Sequence, residues 1–210
     1  MAYTDIDDPS AYFQTLLWTG DGSNRSLTFD GNSDLQPDWS WIKQRSGTNY
    51  HTLTDSVRGL NKQMYSNVND AEATQTTNIT AYGSNGVSLG TDSNVNGNSS
   101  TYVGWFWKAG TSFTNDASST GIGDIDSAGS VNTDAGFSVI TATSDGAANK
   151  DIAHGLGAVP DVIISKNLER GYNWDVYFKT LGYNASLQLN VTDAVRTGAW
   201  GSTTFTSTIF

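Results

Sequence analysis

The chain has no cysteine, and only three prolines, two methionines, two histidines and two glutamates among 210 residues. The missing cysteine removes disulfides, thiolate metal ligands and a cysteine nucleophile together, and it fits synthesis in a reducing cytosol. His51 and His154 leave no Ser/His/Asp set with a usable spacing. Glu72 and Glu169 sit on no Glu-rich strand that would hold a glycosidase pair. Lys and Arg number 11 against 21 Asp and Glu, a formal net charge of −10. A phosphate backbone is held by clustered cations, so nucleic acid is not expected as a partner. No run approaches the roughly 18 apolar residues of a membrane helix. The opening "MAYTDIDDPS" reads as neither the basic flank nor the apolar stretch of a signal peptide. These shortages imply no enzyme, no cofactor and no membrane insertion.

What is present describes strands. Gly numbers 22, aromatics reach 11% and charged residues only 15%. Short β-rich runs bounded by Gly, Asn, Asp or Pro are expected at 12–18, 26–29, 39–43, 50–54, 63–67, 86–89 and 101–108. Helical spacing is nowhere sustained, and 70–76 could form one turn at most. In "YVGWFWK" both faces carry bulk, Val103, Trp105 and Trp107 on one and Tyr102 and Phe106 on the other. Such a strand is expected to be covered on both sides.

The chain also says nearly the same thing twice. Phe13, Thr19, Asp21 and Gly22 recur 124 residues later as Phe137, Thr143, Asp145 and Gly146. Pro37, Asp38, Lys43, Asn67, Asp70 and Ala71 recur 123 residues later as Pro160, Asp161, Lys166, Asn190, Asp193 and Ala194. Such a period is architecture before it is chemistry. The reading is an all-β protein of antiparallel sandwich type, jelly-roll or lectin-like, with two repeated units. It comprises a lead (1–10), a first unit (11–109), a polar connector with one short strand (110–135) and a second unit (136–210). At this offset Ile209 and Phe210 fall on Gly86 and Val87, so the second unit is expected to lack a counterpart of 88–109, including "TYVGWFWKAG". The missing strand is expected from a continuation of the chain or from a neighbouring subunit, because an open edge beside a bare apolar face is avoided.

Few residues invite a site. "DSNVNG" opens like a calcium loop, with Asp92, Asn94 and Asn96 as oxygen ligands, but position twelve is Val103 in place of the bidentate Glu. Asn96-Gly97 alone makes a hairpin turn, and that reading is favoured over metal. "TGDGSN" and "TSDGAAN" are read as turns. His154 is expected to hydrogen-bond backbone, and His51 aligns with Asp175 on the 124-residue offset. Of seven Trp, the i,i+2 pairs Trp39/Trp41 and Trp105/Trp107 read as core or sheet packing. Trp18, Trp174 and Trp200 are less constrained and are the candidates for contact with a glycan or a partner.

The strings "MAYTDIDDPSAYFQTLLWTGDGSN", "LQPDWSWIKQRS", "MYSNVNDAEAT", "TYVGWFWKAG" and "HGLGAVPDVIISKN" resemble a family of marine bacteriophage virion proteins, over the whole chain. The resemblance implies strand-rich, lectin-like repeats, location in a phage particle, synthesis in the host bacterial cytoplasm and no catalytic residues to transfer. Two functions are compatible with it. One is a structural component on the virion exterior, a capsid decoration or a fibre or appendage protein, homo-oligomeric and bound to other virion proteins. The other is a lectin-like receptor module for host-surface glycans.

Overall fold

The computed structural model describes residues 6–198, 200 and 204–210 and is built almost wholly from antiparallel strands. The chain divides into two compact units, 1–66 with 72–110, and 67–71 with 111–210.

The first unit is a sandwich. Its strands are β1 (Phe13–Thr19), β2 (Arg25–Thr28), β3 (Trp39–Gln44), β4 (Thr52–Asp55), β5 (Lys62–Tyr65), β6 (Ala73–Thr74), β7 (Ile79–Gly83), β8 (Gly86–Leu89) and β9 (Thr101–Trp107). One sheet has six strands in the order β1-β9-β3-β4-β5-β6, and the other has three, β2-β8-β7. Period-two alternation turns Trp18, Ile42, Tyr102 and Phe106 of the larger sheet toward Leu27, Ile79, Val87 and Leu89 of the smaller, with Phe29, Leu35 and Val95 closing the core. Tyr102 stacks on Trp18 at 5.4 Å between centroids, and Phe106 lies 4.9 Å from Phe29. Between them, Gly104 keeps the strand bare, since a Cβ there would stand 2.6 Å from the Phe106 ring and 3.1 Å from Trp18.

The second unit holds β10 (Thr111–Asn115), β11 (Ser127–Asn132), β12 (Phe137–Ala142), β13 (Val162–Ser165), β14 (Asp175–Phe178), β15 (Ala185–Gln188) and β16 (Arg196–Thr197). They form two sheets, β10-β11-β12 and β13-β14-β15-β16. Tyr177, Tyr183 and Phe205 pack ring to ring at 4.7–5.8 Å, and Phe210 lies 6.2 Å from Phe205.

The pairing scheme of β3 to β6 recurs in β13 to β16 without a slip. Trp39 faces Asp55 and Val162 faces Phe178; Leu53 faces Met64 and Val176 faces Leu187; Lys62 faces Thr74 and Ala185 faces Thr197. Every one of these pairs is displaced by 123 residues. Side chains that lock the turns recur with it. Lys43 donates to the carbonyls of Gln44 and Gly47, as Lys166 does to those of Asn167 and Arg170. In the Asp-Gly turns, Gly22 has φ +70° and Gly146 +85°, while Asp21 and Asp145 each accept an amide two residues on. Those amides hold both carboxyls below the ordinary carboxylate range. At this register His51 corresponds to Trp174, one residue from the Asp175 expected.

Three readings change. Residues 111–135 belong to the second unit and include β10 and β11, so the connector expected over 110–135 carries two strands where one was expected. Asn96-Gly97 makes no hairpin turn: 93–96 is one helical turn capped by Asp92, and Gly97 has φ −60°. The outer face of β9, expected to be covered, is only half-buried among the described residues.

Candidate functional site

The register places five aromatic rings on the outer face of the first unit's larger sheet. Phe13, Trp107 and Trp39 lie side by side across β1, β9 and β3, and Trp105 and Trp41 form the next row. Centroids are 4.7 Å apart for Phe13 with Trp107 and for Trp107 with Trp39, 5.9 Å for Trp39 with Trp41 and 6.2 Å for Trp41 with Trp105. The four Trp are half-buried, Phe13 is exposed, and Leu17 extends the strip at 63% exposure. A ring strip of this kind takes a flat apolar partner, either the apolar face of a sugar ring or another sheet.

Charge borders the strip. Asp55, opposite Trp39 in the register, is buried and receives Arg58 through Nη2 at 2.6 Å and Nε at 2.7 Å. Arg58 Nη1 reaches Glu72 Oε2 at 2.7 Å, and Lys62 lies 3.4 Å from the other Glu72 oxygen. Burial with partners on both sides makes this network a structural clamp. The nearby Tyr82 hydroxyl donates to Thr54 O at 2.8 Å, and burial pushes its phenol far up.

The Trp residues nominated from sequence lie elsewhere. Trp18 is 8% exposed and donates its indole N–H to Val95 O; Trp174 is 3% exposed and donates to Val68 O. Both are core residues with no ring face to offer. Trp200 is half-buried, edge-on to Tyr177 at 6.0 Å. The strip comes instead from the two i,i+2 pairs read as packing. A signal for this was available: Tyr102, Gly104 and Phe106 already make one complete inner face of β9, so Trp105 and Trp107 had to face away from it.

The calcium-like loop is filled by protein. Asp92 Oδ1 accepts Asn94 N at 2.7 Å, and its Oδ2 accepts Gln75 Nε2 at 2.9 Å. Asn96 is fully buried, accepting from Asp21 N and donating to Ser23 O and Gly90 O. Its amide joins two loops. Among the described residues no group of three His, Asp or Glu is placed to hold a metal. His154 is buried, accepts Leu156 N on Nδ1 at 3.1 Å and meets Thr206 O through Nε2 at 3.2 Å. Desolvation lowers its pKa, with the Thr206 carbonyl acting the other way. In the second unit a groove of about 370 Å³ is lined by Asp116, Asp126, Ser127 and Thr141. Its acids are committed: Asp116 caps a helical turn through Ser119 N, and Asp126 accepts Ala117 N.

No curated protein and no solved structure matches the chain. Residues 8–210 match the model of a family described as a domain of unknown function, DUF7483, and the chain belongs to that family.

Proposed function

We propose that the protein is a non-enzymatic structural component on the exterior of a phage virion, a capsid decoration or a fibre or appendage protein that assembles with copies of itself and with other virion proteins. The observation that carries this reading is the strip of Phe13, Trp39, Trp41, Trp105 and Trp107, a sheet face of the kind that buries itself against another polypeptide. The resemblance to marine phage virion proteins supplies the particle, and a net charge of −10 suits a protein held at high local copy number. The test is immunogold labelling of purified particles against the protein. Gold on the particle exterior is expected; particles free of the protein would overturn the reading.

The same strip favours a second reading, a lectin-like module for host-surface glycans, because Trp faces stack on pyranose rings. A glycan array separates the two. Binding lost in Trp105→Ala but kept in Leu17→Ala would favour the lectin, and an array without binding would leave assembly as the function.

A further inference from the structure

In the first unit β3 is paired on both sides, with β4 on one and β9 on the other. Its counterpart β13 is paired with β14 alone, and no described strand lies along its second edge. The difference is confined to that edge, since every pair on the β14 side is conserved at 123 residues.

The side chains along the open edge carry the same mark. Trp39 and Trp41 are half-buried because Trp107 and Trp105 of β9 lie beside them. Their counterparts Val162 and Ile164 stand 48% and 42% exposed. Two β-branched residues on one strand face, beside an unpaired backbone, form an acceptor site for a further strand.

Asp161 adds an independent observation. Its counterpart Asp38 accepts the amides of Ala109 and Gly110, at 2.9 and 2.6 Å, and so caps the chain as it leaves β9. It also accepts the Ser56 hydroxyl at 2.8 Å. Asp161 keeps the equivalent of the Ser56 contact, now an ion pair with Lys179 at 2.8 Å, and its side chain is 75% exposed. The second unit keeps the aspartate, and among the described residues no strand stands where β9 stands in the first.

We propose that the edge of β13 binds an antiparallel strand from a polypeptide segment outside residues 1–210, with the side-chain pattern of β9. Aromatic or large apolar residues at the places of Trp105 and Trp107 cover Ile164 and Val162, and two successive amides beyond them dock on Asp161. The inference stands on the pairing of the second unit and is independent of the particle to which the protein belongs.

The test is hydrogen exchange on the full 210-residue chain with a synthetic peptide of sequence 101–110, lysine-flanked for solubility. Added peptide is expected to slow exchange in 162–165 by about tenfold or more while the first unit's amides stay unchanged. A peptide with proline at the place of Trp105 cannot complete the ladder and is expected to give no protection. Asp161→Asn is expected to weaken the authentic peptide several-fold with the fold intact. Three results would overturn the proposal: no protection at saturating peptide, equal protection by the proline peptide, or concentration-dependent protection of β13 without peptide, which would assign the edge to a second copy of this chain.

Discussion

Asp55, Arg58 and Glu72 of the first unit stand where Phe178, Leu181 and Val195 stand in the second, each pair 123 residues apart on a common strand register. The first set is a buried ionic clamp, and the second is an apolar group exposed at 37–48%. The backbone does not register the exchange. Ladder hydrogen bonds and turn locks such as Lys43 and Lys166 determine the path of the meander, while the residues at its corner are free to be charged or apolar. What they cannot be is buried and unpaired. A charge in that corner needs its partners in place, whereas an exposed Leu costs little and is ordinary on a surface.

The sharpest way to break this comparison is Arg58→Met. It leaves the buried Asp55 carboxylate without its cation and Glu72 with Lys62 alone, and a loss of about 3–5 kcal/mol is expected in urea unfolding. The matching Leu181→Met change should stay within about 0.5 kcal/mol. Similar losses at both positions would mean that the buried clamp holds its corner no more firmly than the exposed apolar group holds the other.

Gly104→Ala comes next, with an expected loss of about 1–3 kcal/mol, because its Cβ has no room against Phe106 and Trp18. Lys43→Ala and Lys166→Ala should each cost about 1 kcal/mol, since each removes the same pair of bonds to backbone carbonyls. Equality is the point of that pair: a silent Lys166 would show the second meander held by something other than its turn lock.

The smallest effect is one of pH. His154 has a folded pKa below the ordinary value of about 6.5, because burial disfavours the imidazolium more than the Thr206 carbonyl favours it. The unfolded chain therefore takes the proton first as pH falls. The contribution is whole above about pH 6.5 and is lost as pH falls through the folded pKa. His51 is shifted the same way, chiefly by burial and then by the Lys43 charge. In urea titrations from pH 8 to 5, His154→Gln should flatten part of the acid-side decline and leave the share due to His51. An unchanged decline would assign all of it elsewhere.

Much of the first unit was legible as sequence. The expected runs at 39–43, 86–89 and 101–108 fall on β3, β8 and β9, because alternating β-branched and aromatic residues ended by Gly, Asn or Pro leave few other conformations open. "ITAYG" forms β7 outside the expected runs; its Thr80, Ala81 and Gly83 carry little apolar signal, and pairing with β8 makes the strand. The segment 110–135 failed for a similar reason. Its residues are small and polar, and β10 and β11 are strands because each finds a partner across the ladder.

The candidate site shows the same division within seven residues. In Thr101–Trp107, sequence alone determined that Tyr102 and Phe106 share one face and Val103, Trp105 and Trp107 the other, because a strand has period two. Which face would be covered was a tertiary decision. Trp18 looked available and is buried, while Trp39 and Trp107 looked like core and line a half-buried strip, because the smaller sheet brings Leu27, Val87 and Leu89 to one side only. Alternation is a local property of the backbone. Burial depends on what arrives from distant parts of the chain, and only the assembled sheets decide that.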